Sequence, residues 1–308
     1  MENNNEKNLK ALVVFHRVDY DGIFSFSIVN DYYSNLGYTV LAYGWNYGDV
    51  VNEDVLFGVD YDVVFMADVT LPTNTMLKLK EKYPNMVWCD HHVTQVDESV
   101  KFGFDDLCGV RQVGKAACAI VWEYLHPNDP MPYCVKLASV YDVWDKEGDD
   151  WEGAVMPFQV GMMHKYTKSA ERVSKHFTEL CSDCSEVITI GKTINEYLEK
   201  QHESWVDRFA FDVIVDGRFK AKAMIGVTFS SVVFKSLLGD DYDLFIVANK
   251  NGNAEDAYNV SMYKTEKQIE FSCGFYMKEK YQGGGHDAAA GCQVTLEQFV
   301  RLINDKTF

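Results

Sequence analysis

Met86-Val87-Trp88-Cys89-Asp90-His91-His92-Val93 decides how this chain is read. The first four residues form a short apolar run of strand character, and a polar segment rich in metal-type ligands follows at once. A strand that ends in such a segment matches open α/β sheets, whose ligands bind beyond the carboxyl ends of the strands. Upstream, residues 9–15 read as a buried strand followed by His16, Asp19 and Asp21, and residues 63–67 read as another followed by Asp68. The tripeptide Asp90-His91-His92 carries little weight alone and gains it from these neighbours.

Working outward, strand patterns alternate with helix patterns. Residues 23–36 have apolar positions at helical spacing, residues 38–43 read as a strand, and a helix is expected just after Pro72, where proline is tolerated. Residues 113–125 and 135–141 read as helices. This alternation predicts an α/β fold with a mostly parallel sheet flanked by helices. Residues 187–206 form a long polar-faced helix pattern, expected to connect two domains. Beyond it, strands are expected at 213–215, 221–225, 244–248, 258–263 and 291–294, with helices at 230–238 and 296–303. The boundaries drawn from these patterns are 1–186, a helical connector at 187–208, and a smaller α/β domain at 209–308.

The chain has 308 residues, 47% of them hydrophobic, ample for two cores. Lys and Arg total 29 against 46 Asp and Glu, a formal net charge of −17. That field disfavours long nucleic acids, which bind by neutralisation of many phosphates. A short anionic substrate held by cations remains compatible. No apolar run reaches the roughly 18 residues of a membrane span, and no apolar leader core opens the chain, so a cytoplasmic protein without membrane contact is expected. The eight cysteines are scattered and fit reduced thiols better than a disulfide framework. Cys181-x-x-Cys184 is zinc-like in spacing but lacks a second pair.

His16-x-x-Asp19-x-Asp21-Gly22 places three potential ligands in one turn, where Gly22 would supply backbone freedom. Asp68, His91 and His92 come from other strand ends, and Asp142 follows a helix, with Asp145 as its competitor. Taken singly, Asp19 or Asp21 reads as a turn residue or helix cap, and His16 as a surface histidine. Carboxylates combined with imidazoles suit Mn²⁺, Mg²⁺ or Fe²⁺ rather than a thiolate-preferring metal. A two-metal site needs about this many ligands.

These motifs resemble those of the DHH phosphoesterase superfamily. Gly283-Gly284-Gly285-His286-x-x-Ala289-Ala290-Gly291 is similar to the signature of its associated C-terminal domain, so the resemblance runs from about residue 10 to 300. It implies an active site in a cleft between domains and two Mn²⁺ ions. His16 and Asp19 would hold one ion, Asp21, His91 and Asp142 the other, and Asp68 would bridge them. Asp90 would orient a histidine and His92 would lie against the substrate phosphate. Gly283, Gly284, Gly285 and His286 would bind substrate. Where relatives often carry Ser-Leu-Arg, this chain has Ser261-Met262-Tyr263, which shifts the expected substrate grip to Tyr263 and Lys264.

The expected activity is hydrolysis of short RNA oligonucleotides, or of linear or cyclic dinucleotides, to mononucleotides, as in the oligoribonuclease members. A 3′,5′-phosphoadenosine phosphatase and a non-catalytic nucleotide sensor are the alternatives, and a homodimer is compatible with either.

Overall fold

The structure, a computed structural model, describes residues 8–92, 100–147, 150–226, 231–251, 256–267, 269–285 and 287–306. The chain divides into two units, Met1–Asn195 and Glu196–Phe308.

In the first unit, β1 (Lys10–His16) leads into α1 (Tyr20–Asn35), β2 (Thr39–Trp45), α2 (Glu53–Phe57), β3 (Val63–Ala67), α3 (Thr73–Lys82) and β4 (Val87–Cys89). The four strands pair in parallel in the order β2-β1-β3-β4. Their side chains alternate between two cores, as strand geometry requires. Val13, Phe15, Phe65, Ala67, Val87 and Cys89 pack on one face with Ile23, Phe24 and Ile28 of α1. Leu12, Val14, Val64, Met66 and Trp88 pack on the other with Leu56 of α2 and Met76 of α3. A sheet covered on both faces explains why β1 reads as a nearly continuous apolar run.

Helices follow: α4 (Ala117–Leu125), α5 (Tyr133–Asp142), a π-helical turn (Trp151–Val155), α6 (Met156–Tyr166), α7 (Ala170–Lys175), α8 (Phe177–Ser182) and α9 (Ser185–Phe209). The unit boundary falls inside α9. Cys184 is buried in the first unit's core, and Cys181 Sγ lies 3.8 Å from Cys134 Sγ. Among the described residues, no cluster of three potential metal ligands includes a cysteine.

The second unit comprises β5 (Phe211–Val215), β6 (Phe219–Gly226), a 3₁₀ helix (Ser231–Leu237), β7 (Leu244–Lys250), β8 (Ala257–Lys264), α10 (Cys273–Tyr281), β9 (Gly284–Gly285), β10 (Ala289–Thr295) and α11 (Leu296–Asp305). Its sheet is mixed, in the order β5-β6-β7-β8-β10-β9, with β6 and β7 parallel and the other pairs antiparallel. Val260, Met262, Ile246, Cys273, Met277 and Phe299 form the core on one face. Val206, Phe234, Phe245 and Val247 form the other.

The expected α/β class holds, with adjustments. The helix expected from residue 23 begins at Tyr20, because Asp19 caps it and Asp21 and Gly22 lie in its first turn. Gly22 therefore serves close approach rather than a special dihedral: a Cβ there would sit 2.0 Å from the His16 carbonyl oxygen. The helix expected at 113–125 starts at Ala117, and that expected at 230–238 is a 3₁₀ helix.

Candidate metal centre

Three parallel strands deliver their carboxyl ends to one edge of the first sheet. β1 ends at His16, β3 ends one residue before Asp68, and β4 ends one residue before Asp90. Asp19 and Asp21 come from the start of α1, and Asp142 is the last residue of α5.

Asp19 combines the two readings that the sequence left as alternatives. Its Oδ1 accepts the Gly22 N–H at 3.0 Å as the N-cap of α1. Its Oδ2 lies 2.6 Å from Nδ1 of His16, without hydrogen-bond geometry. The other ring nitrogen of His16, Nε2, pairs with Asn46 Oδ1 at 3.1 Å. With Nε2 engaged by Asn46, Nδ1 is the ring nitrogen aimed at the carboxylates and the one that a cation would take on losing its proton. The one signal of Asn46 in the sequence is its place directly after a parallel strand.

Asp68 sits at the focus. Its backbone φ is +58°, a conformation that Asp adopts more readily than most residues. It is 1% exposed, and neither carboxylate oxygen has a hydrogen-bond partner. His16 Nδ1 lies 3.6 Å away and His91 Nε2 3.3 Å away. His91 Nε2 is also 3.4 Å from Asp21 and 3.5 Å from Asp142. Asp21 accepts the Ala117 and Cys118 N–H groups at 2.8 and 2.7 Å, so the amino end of α4 holds it.

Three sets of one atom per residue thus converge within 4.8 Å: His16, Asp19 and Asp68; Asp21, His91 and Asp142; and Asp68, His91 and His92. The six residues expected as ligands, His16, Asp19, Asp21, Asp68, His91 and Asp142, are all brought together. Asp145 is outside these sets, and its carboxylate caps the Glu147 N–H at 3.1 Å.

Asp90 stands apart from the sets. Its carboxylate is fully buried and accepts five hydrogen bonds: from His91 N–H (2.7 Å), His92 N–H (3.1 Å), His92 Nδ1 (2.8 Å), Thr70 Oγ1 (3.1 Å) and Trp88 Nε1 (3.3 Å). A carboxylate so saturated orients its neighbours. Thr70 and Trp88 had no signal in the sequence.

Electrostatics follow from burial of like charges. Asp21 and Asp68 are each pushed up to about 7, first by burial and then by the neighbouring carboxylates, against the pull of the histidines. Asp142 is raised to about 7 in the same way. For His16, burial alone would favour the neutral ring, but Asp19 and Asp68 outweigh it and raise it to about 10. Asp90, despite burial, is held below the usual carboxylate range by His92 and two N–H groups.

Of seven buried side-chain polar atoms without a partner among the described residues, four are here: His16 Nδ1, both oxygens of Asp68 and one of Asp142. The nearby histidines, at 2.6–3.6 Å, offset only part of the desolvation of these buried groups. Divalent cations would satisfy all four, and the oxygen-plus-imidazole donor set is of the kind that Mn²⁺ or Mg²⁺ takes.

The expected substrate residues of the second unit are placed less simply. Gly284 and Gly285 form β9 on the edge of the sheet. A Cβ on Gly283 or Gly285 would collide with β10, at 2.2 Å from the Gly291 carbonyl oxygen and 2.6 Å from that of Ala289, whereas Gly284 faces open space. Lys264 is paired with Asp287 at 2.9 Å, and Tyr263 packs partly buried against Phe245 and its neighbours. His286 lies outside the described residues.

No family model and no curated protein sequence matches the chain. Solved structures do. A pGpG-specific phosphodiesterase, PggH from Vibrio cholerae, is similar with a TM-score of 0.57 at 14% identity, covering 96% of this chain and 97% of that one. The DHH domain of a protein described as belonging to a family of ribosomal proteins gives 0.58 at 15%, covering 97% and 85%. RecJ from Thermus thermophilus, in complex with Mn²⁺, gives 0.53 at 13%, and the chain spans about half of its length (96% and 51% covered). At such identities the likeness establishes the shared fold.

Proposed function

We propose that this protein is a divalent-metal-dependent phosphodiesterase, with two Mn²⁺ as its preferred ions, that hydrolyses short RNA oligonucleotides or linear or cyclic dinucleotides to mononucleotides. The observation that carries the reading is Asp68: a buried carboxylate with two unpartnered oxygens, shared by two of the three convergent ligand sets.

His16 and Asp19 would hold one ion, Asp21, His91 and Asp142 the other, and Asp68 would serve both. When bound, such a pair supplies Lewis acidity and a water of lowered pKa. The chain's own groups do the rest. The Asn46 side-chain oxygen keeps the His16 ring turned so that Nδ1 faces Asp19 and Asp68. Asp90 accepts the hydrogen bond from Nδ1 of His92, and that bond above all raises His92 to about 9. With Nδ1 held by Asp90, Nε2 is the ring nitrogen of His92 left to meet a phosphate oxygen. Gly283, Gly284, Gly285 and His286, with Tyr263 and Lys264, are the second unit's substrate contacts in this reading.

PggH, a pGpG-specific phosphodiesterase, supports a linear dinucleotide as the first substrate to test. The test is product chromatography on a panel of di- and trinucleotides, longer RNA, cyclic dinucleotides and 3′,5′-phosphoadenosine, with Mn²⁺ and Mg²⁺ compared. Cleavage of the dinucleotides is expected; a panel left wholly intact overturns the enzyme reading.

A further inference from the structure

The turn after β2 carries an aromatic residue, Tyr47, that is outside the ligand sets. Tyr47 follows Asn46, the partner of His16, and its ring centroid lies 5.9 Å from that of His16 and 6.3 Å from that of His92. Its ring is held at both ends. The buried indole of Trp45 packs edge-on against it at 5.4 Å, and its hydroxyl oxygen accepts the Thr70 N–H at 3.4 Å. The turn itself is fixed: Asp49 accepts the Asn46 N–H at 2.9 Å and grips Arg17 through three contacts of 2.9–3.1 Å. Yet Tyr47 is 42% exposed.

We infer that Tyr47 is the stacking platform for a nucleobase next to the phosphate bound at the metal centre. The inference rests on the reading of that centre as a nucleotide phosphodiesterase and adds what recognises the base. A pinned ring loses little conformational entropy when a ligand arrives. Stacking is also indifferent to the chain's net charge of −17, which opposes recognition through phosphate alone. Arg17, directly after β1, is engaged by Asp49. Because every base has a π-face, the platform selects for a nucleotide over a sugar phosphate without choosing among bases.

The experiment is calorimetric binding of AMP and of ribose 5-phosphate to the full chain with Mn²⁺, for the wild type and for Tyr47→Ala, Tyr47→Phe and Tyr47→Trp. The wild type is expected to prefer AMP. Tyr47→Ala should weaken AMP binding by about 5- to 150-fold, the range that one base–aromatic stack supplies. It should leave ribose 5-phosphate binding unchanged, and Phe and Trp should retain the AMP preference. Unchanged AMP affinity in Tyr47→Ala, or a parallel loss for ribose 5-phosphate, overturns the platform. Dinucleotide turnover, assayed beside it, separates the two readings. A Tyr47-dependent AMP preference without turnover sinks the phosphodiesterase and keeps the platform. Turnover with an unchanged KM in Tyr47→Ala does the reverse.

Discussion

Asp68 concentrates the chemistry in one side chain, and its replacement tests two properties at once. In the phosphodiesterase reading, Asp68→Asn and Asp68→Ala lower kcat/KM by roughly a thousandfold or more, about 4 kcal/mol of lost transition-state stabilisation. A buried carboxylate crowded by like charges also strains the metal-free fold, so Asp68→Asn should raise the melting temperature of metal-free protein and erase the rise that Mn²⁺ gives the wild type. Near-normal turnover, or an undiminished Mn²⁺ shift, sinks the assignment. Thr70 acts one contact further out, through Asp90. Thr70→Val keeps the shape and removes the donor, and activity should fall by about 10- to 100-fold, as for other groups that orient metal-site residues. The ligand types were legible in the sequence because chemistry restricts them to His and Asp. Asn46, Tyr47 and Thr70 were not, because their roles arise from side-chain contacts that only the assembled turns create.

At the scale of elements, the sequence was most legible where burial on both faces made strands continuous and apolar, as in β1, β3 and β4. It was least legible at 151–182, where the π-helical turn, α7 and α8 are five or six residues each and too short to display a period. α10 is only partly legible: Ser272 caps it, and Cys273, Tyr276 and Met277 are buried at helical spacing, but Gly274 interrupts the pattern. The packing of α1 against the end of β1 yields a sharp expectation. Gly22→Ala would drive a Cβ into the His16 carbonyl. The resulting strain should destabilise the fold by about 1–3 kcal/mol and lower the melting temperature, with a larger loss of activity than of stability because His16 itself must move.

For the whole molecule, charge and buried acids set two conditions on behaviour. In the phosphodiesterase reading, the net charge of −17 predicts that cleavage falls steeply from dinucleotides to ten-mers, and efficient ten-mer cleavage would contradict the short-substrate reading. The pH dependence of the metal-free protein has a definite sign. Asp21, Asp68 and Asp142, raised to about 7, keep protons in the folded state that the unfolded chain loses near pH 4. His16 and His92, raised to about 10 and about 9, keep protons that the unfolded chain loses near pH 6.5. Both groups make the folded state the more protonated one, so its stability falls as pH rises from about 4 towards 10. Thermal melts without metal should show a lower melting temperature at pH 8.5 than at pH 5.5, and saturating Mn²⁺ should remove or invert that slope.

The same crowd of half-protonated carboxyls makes this chain a proton donor whenever a cation arrives. In the two-metal reading, an ion that enters near pH 6.5 must evict hydrogen ions held on Asp21, Asp68, Asp142 and His16, so uptake of metal acidifies the medium. The heat of Mn²⁺ binding will therefore depend on the buffer that receives those protons. Its slope against buffer ionisation enthalpy counts them, and that number should shrink by about pH 9, where the carboxyls have emptied and only the His16 proton is left to lose.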